Sequence, residues 1–239
     1  MYVPLYVKTD YSLLSSLIKI DNLIEYLKKK NIKVCAIVDN NLFGTMEIIN
    51  KFNKNNIKPI IGLEVSFEQK TILLYAKSED GYNNLIKIET IKNEKEITID
   101  ILTTYNKDLI CIIFDNTLYN DFKTIYQDLF IGVSNNKEAS LNNIIGETVY
   151  INKTLYLEKY EYKYLPYVFM IKDGKTISDG IDFVYQNNHL LSNDEVINLV
   201  DINSINNTIK IGEMCNLSFS KNTLKTPTKN ILFIKSFVI

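Results

Sequence analysis

A chain of 239 residues carrying 27 Lys and no Arg against 28 Asp plus Glu has a formal net charge of -1, so no global field draws it to nucleic acid or to an anionic membrane. Without Arg there is no planar fork for a guanine edge, which argues against direct sequence-specific DNA contact. The length suits one α/β domain with a sizeable core, no apolar run reaches the roughly 18 residues of a membrane span, and Met1-Tyr2-Val3-Pro4 opens no signal peptide.

Leu5-Tyr6-Val7 reads as a short first strand ending at Lys8-Thr9-Asp10. Leu13, Leu14, Leu17, Ile18, Leu23, Ile24 and Leu27 then form an amphipathic helical stripe with Asp21 as a cap. Lys28-Lys29-Lys30 closes it, complementing the helix dipole, and reads as a solvated end in preference to a nucleic-acid patch.

The stretch from Val34 to Glu64 organises the pattern. Val34-Cys35-Ala36-Ile37-Val38 is apolar without alternation, as a strand buried on both faces must be. Asp39-Asn40-Asn41 makes a polar turn, Met46, Ile48, Ile49 and Phe52 recur at helical spacing, and Pro59-Ile60-Ile61 begins a second strand. Such a βαβ unit places Asp39, Asn40 and Glu64 at strand carboxyl ends, where α/β folds gather ligands.

Further strands are predicted over 63–67, 71–76, 109–114, 129–133, 148–151 and 167–171, and helices over 82–91, 118–126, 138–145, 194–200 and 204–215. Residues 93–108 read as an exposed connection. The βα alternation, repeated six or seven times, favours a closed or nearly closed α/β barrel. The Tyr-rich segment from Tyr150 to Tyr167 alternates rings with Lys and Glu and reads as a partly exposed edge in preference to a base-stacking platform. Cys35, Cys111 and Cys215 lie in apolar runs and read as reduced core thiols of a cytoplasmic protein. The one histidine, His189, stands ahead of a helix start and reads as a surface or capping residue, which leaves acid–base chemistry at neutral pH without an agent.

Taken together, Leu5-Tyr6-Val7-Lys8-Thr9-Asp10-Tyr11-Ser12, Ala36-Ile37-Val38-Asp39-Asn40-Asn41-Leu42-Phe43-Gly44 and Ile57-Lys58-Pro59-Ile60-Ile61-Gly62-Leu63-Glu64 resemble the amino-terminal polymerase-and-histidinol-phosphatase (PHP) domain of the bacterial replicative DNA polymerase III alpha subunit. Leu74-Tyr75-Ala76-Lys77-Ser78, Gly81-Tyr82-Asn83-Asn84-Leu85 and Thr208 to Asn216 look like further landmarks of it, in the same order.

The resemblance implies a distorted (β/α)7 barrel over residues 1–217, with 218–239 as a tail or the truncated start of a following polymerase segment. It also implies a metal cluster at the strand ends in active members, where His nitrogens and carboxylates hold divalent ions that polarise a phosphate. Those ligands are largely replaced here: Tyr6 and Lys8 stand where the family has His-x-His, Asp39-Asn40 where it has Asp-His, and Lys172-Asp173-Gly174 contains no histidine. Asp10 and Glu64 remain as oxygen donors able at most to hold Mg or Mn weakly, with Asp39 adjacent. A contact from Lys8 to Asp10 or Glu64 is expected in place of the metal, with no catalytic or cofactor-binding residue. The role implied is a catalytically inactive structural and docking module in DNA replication, packed on the polymerase body and holding a proofreading exonuclease or another replisome subunit. The alternative is a free-standing metal-dependent phosphoesterase of the same superfamily.

Overall fold

Residues of β1 (Val34–Asp39) after the first are all buried, as their unbroken apolar run requires. In the computed structural model, which describes residues 2–136, 144–180 and 186–219, β1 lies parallel to β2 (Lys58–Phe67). Between them runs α2 (Thr45–Lys54), which buries Ile48, Ile49 and Phe52. The register sets Asp39 beside Leu63, so the end of β1 and Glu64 share one rim.

Six strands form one sheet among the described residues, in chain order from β1 to β6: β3 is Lys70–Ala76, β4 Leu109–Ile113, β5 Asp128–Val133 and β6 Thr148–Tyr150. The chain is therefore mixed α/β as expected, but the uniform βα alternation fails in the middle. β3 runs antiparallel to both β2 and β4. Its link to β2 is the pair Glu68-Gln69, both at positive φ (48° and 62°), as a two-residue hairpin of the I′ kind demands. Asn-Gly or Asp-Gly usually marks that turn, and neither is present.

The predicted first strand is a single bridged segment. Val7 pairs in parallel with Ile37 on one side and with Thr154 on the other. Ala36 N donates to Pro4 O at 2.8 Å, and Lys8 N donates to Thr154 O at 3.0 Å. Pro4 has no N–H to give, which shortens the ladder there. The seven regular strands expected are thus six, with this segment lying between β1 and the chain beyond β6.

Alternate side chains sort to opposite faces of the sheet. Ala36, Val38, Ile60, Leu73, Tyr75, Ile110, Ile112 and Phe130 pack on one face with Leu5, Tyr6 and two residues of the terminal helix region, Ile211 and Cys215. The opposite face carries Cys35, Ile37, Ile61, Leu63, Ile72, Leu74, Cys111 and Ile113 under α1 (Ile20–Lys29), α2 and α3 (Glu79–Lys92). All three cysteines are free and buried, and burial raises their thiol pKa values, Cys215 to about 12.

Other helices depart from expectation. α1 begins only at Ile20 with Lys19 as its N-cap and Asp21 in its first turn; Leu13 is 78% exposed and Leu14 has φ 54°, so residues 11–16 form turns. The connection after α3 contains α4 (Ile99–Thr104), which buries Leu102. α5 (Tyr119–Ile125), α7 (Asn193–Ile197) and α8 (Ile202–Met214) occupy the predicted regions. The predicted strand at 167–171 is α6 (Leu165–Lys172), with Pro at its start, where a missing N–H costs nothing. Most of the predicted helix over 138–145 and most of the tail lie outside the described residues, and residues 144–145 are irregular. No helix among the described residues is long and apolar enough to cross a membrane.

Gly81 marks the tightest backbone approach. A Cβ added there would meet the Asp108 carbonyl oxygen at 2.2 Å. Gly81→Ala is expected to destabilise the fold by about 1–3 kcal/mol although alanine favours helix. Urea unfolding checks this; an unchanged midpoint would mean the Asp108 loop simply yields.

Candidate functional site

Asp39 closes β1 as a buried carboxylate. Thr9 N donates to its Oδ1 at 2.7 Å, Ser12 Oγ to the same oxygen at 2.6 Å, and Thr9 Oγ1 to Oδ2 at 2.6 Å. Burial raises the Asp39 pKa above its ordinary value, and these bonds pull back against it. Its oxygens are consumed in tying the loop after Val7 to β1, which is a structural use.

Lys8 points from the bridged segment into the rim beyond. Its Nζ lies 2.8 Å from Glu64 Oε2 and also donates to Asn40 Oδ1. Tyr6 donates its hydroxyl to the same Glu64 oxygen. Two lysines complete the cluster: Lys153 Nζ at 3.4 Å from Glu64 Oε2, and Lys92, which donates to the Asn40 carbonyl and, at 3.1 Å, to the Glu64 carbonyl. Lys153 also lies 5.3 Å above the Tyr6 ring.

The electrostatics follow from one carboxylate among several ammonium groups. Burial pushes the Glu64 pKa up, but Lys8, Lys153 and the hydrogen bond from Tyr6 together outweigh it and hold the carboxyl below its ordinary value. Burial lowers the Lys8 pKa, with Glu64 opposing, and burial likewise lowers that of Lys92. For the Lys8–Glu64 pair the direction that governs is the Glu64 one, because two ammonium groups and a phenol all favour its charged form. Burial, then the neighbouring Glu64 charge, raises the Tyr6 phenol, which therefore stays a donor.

A cavity of about 410 Å³ opens at this rim, lined by Lys8, Asn40, Glu64, Lys153, Phe169 and Lys172 among others. Of the six positions singled out in the sequence, Tyr6, Lys8, Asn40 and Glu64 converge and Asp39 lies just beneath them. Asp10 does not join them: it is exposed and lines a separate hollow with Lys19, Asp21, Glu47 and Lys51. Lys172 and Asp173 reach the cavity from the end of a helix, not from a strand. Lys153 lies three residues beyond the end of β6, and that nearness to a strand end is the signal that could have found it; Lys92, at the end of α3, carries no such signal.

Among the described residues no group of three His, Cys, Asp or Glu side chains could hold a metal ion. His189 is apart from this rim and, contrary to the surface role expected, is buried. Its Nε2 stands 3.4 Å from Glu195 Oε1, and its ring stacks on Tyr156 at 6.3 Å. Glu195 belongs to the capping box of α7, so a link to a helix start holds while the exposure does not.

The fold and rim define a mixed α/β domain with its polar cluster beside the carboxyl end of β1 and an ammonium at the cluster's centre; Glu64, expected at a strand end, sits inside β2, which runs on to Phe67. A family model described as the PHP domain matches residues 4–160, and the chain belongs to that family. It is similar to DNA polymerase III subunit alpha of Ureaplasma parvum, 42% identical over 101 residues that cover 41% of this chain and 10% of the relative. The same protein of Mycoplasma genitalium is 36% identical over 153 residues, 61% of this chain and 17% of the relative. That of Streptococcus pyogenes is 26% identical over 184 residues, 75% and 18%. The chain spans less than a fifth of the length of these curated relatives.

Proposed function

We propose that this chain is the PHP module of a bacterial replicative DNA polymerase alpha subunit, a cytoplasmic structural and docking unit whose ancestral metal site is closed by an internal ion pair. Residues 1–217 form that unit, a distorted (β/α)7 barrel in which the segment around Val7 stands as the seventh member. The observation that carries the reading is Lys8: its ammonium touches Glu64 and Asn40, in the space a divalent ion needs. A fixed positive charge there repels a cation and supplies Glu64 with the counter-charge an ion otherwise provides. A divalent phosphoesterase also needs imidazole or carboxylate ligands in number, and Glu64 offers one carboxylate.

The partners that fit this role are the polymerase body of the same subunit and, on the outer surface, a proofreading exonuclease or another replisome subunit. Elemental analysis of the purified chain after exchange into metal-free buffer tests the site. The expected result is sub-stoichiometric Zn, Mn and Mg, with no hydrolysis of p-nitrophenyl phosphate or its bis-ester when Mn is added. Stoichiometric metal, or turnover abolished by Glu64→Ala, would overturn the reading in favour of the phosphoesterase.

A further inference from the structure

Two features that each read alone as solvated surface are brought side by side by the fold. Lys159–Lys163 forms a 3-10 turn and α6 follows it, with Tyr164 in helical conformation between them. Residues 164, 167 and 171 therefore fall on one side at helical spacing, with Tyr160 in the 3-10 turn just ahead of them. Inward, Leu165, Pro166 and Met170 are buried. Outward, Tyr160, Tyr164 and Tyr167 are 62%, 49% and 42% exposed. Three exposed rings thus follow one another along this short stretch of chain.

Charge surrounds the row. Lys29 Nζ lies 3.9 Å from Glu158 Oε1, which places the Lys28-Lys29-Lys30 end of α1 beside its start. Lys163 Nζ sits 5.0 Å over the Tyr164 ring, and among the described residues neither Lys159 nor Lys163 forms an ion pair with a carboxylate. The nearby acids are already engaged: Glu161 accepts from the backbone N–H groups of Leu157 and Glu158, Glu158 completes that capping box, and Asp173 faces Lys175 at 3.6 Å. Ring faces interleaved with ammonium groups suit a flexible polyanion that offers a π-face at every unit.

We infer that the outer face of residues 159–172, together with the lysine end of α1, binds single-stranded DNA without reading its sequence. The choice of DNA over RNA rests on the replication role proposed above; the stacking and charge do not. The 239-residue chain titrated into 5′-labelled oligo-dT of about 16 nucleotides, the upper end of typical single-strand sites, tests this by fluorescence anisotropy at low salt. Binding is expected to weaken steeply with added salt. Tyr160→Ala and Tyr164→Ala should each weaken it about tenfold, and phenylalanine at either position should retain it. Because the rings are exposed, the variants should melt with the wild type.

No binding at low salt, tighter binding of oligo-U, or full binding by the double alanine variant would overturn the inference. So would capture of a protein through the same tyrosines with oligo-dT unbound. Each of those outcomes leaves the metal-content test untouched, so the two readings fail separately.

Discussion

Glu64→Ala is expected to lower the unfolding free energy by about 3 kcal/mol at neutral pH, a drop of roughly 10 °C in melting temperature for a chain of this size. The loss comes from what stays behind. Lys8 keeps only Asn40 as a partner while its side chain remains 3% exposed, and the Tyr6 hydroxyl loses its acceptor. Lys153 is the reason for choosing the lower part of the range for broken buried pairs: its side chain is 41% exposed and turns to solvent without penalty. The Glu64→Gln variant isolates the charge. Since the folded protein holds the Glu64 pKa below the ordinary 4.5, its contribution is complete above that value and is lost as pH falls through the lowered one. Wild type should therefore lead Glu64→Gln at pH 7, with the gap closing on acidification below about pH 4.5; a constant gap would remove charge from the explanation.

Asp39→Ala should cost about 3 kcal/mol as well, for a different reason. It strands the buried Thr9 N–H and two hydroxyl groups that now end on the carboxylate, and an unmet buried donor costs about 1–3 kcal/mol. Asp39→Asn keeps the shape and most of the acceptors and should cost about 1 kcal/mol or less. Its pH profile has the opposite sign to that at Glu64. Burial raises the Asp39 pKa above 3.8, so the folded state binds the proton more tightly than the unfolded one. That contribution is present at low pH and lost as pH rises through the window above 3.8. Wild type should gain on Asp39→Asn as the solution is acidified. Equal losses from Ala and Asn in thermal melts would refute the network account.

These contrasts mark how far the residues themselves could be read. The β1-α2-β2 unit was legible because a both-faces-buried strand, a polar turn and a helical stripe each leave a one-dimensional pattern. The rim was legible in part: Lys8 was expected on Asp10 or Glu64, and it meets Glu64 while Asp10 turns to the hollow of Lys19 and Lys51. Tyr167-Val168-Phe169-Met170-Ile171 was misread as a strand, since a short apolar run has no period to separate strand from helix. Pro166 just ahead of it was the overlooked helix signal. The β2–β3 turn left no residue-type signal, because Glu68 and Gln69 take positive φ without a glycine or asparagine to announce it, although the short gap between the strands over 63–67 and 71–76 already excludes a parallel crossover.

Sequence alone determined which strands would be buried, the absence of arginine chemistry and the presence of a single imidazole, because all three are properties of residue type and spacing. The tertiary structure alone decided that β3 also pairs antiparallel with β4, that Lys92 and Lys153 join Glu64, and that Lys29 at the end of α1 meets Glu158. Long-range proximity depends on how elements pack, and nothing in the local pattern of residues near 29 and 158 encodes that they meet.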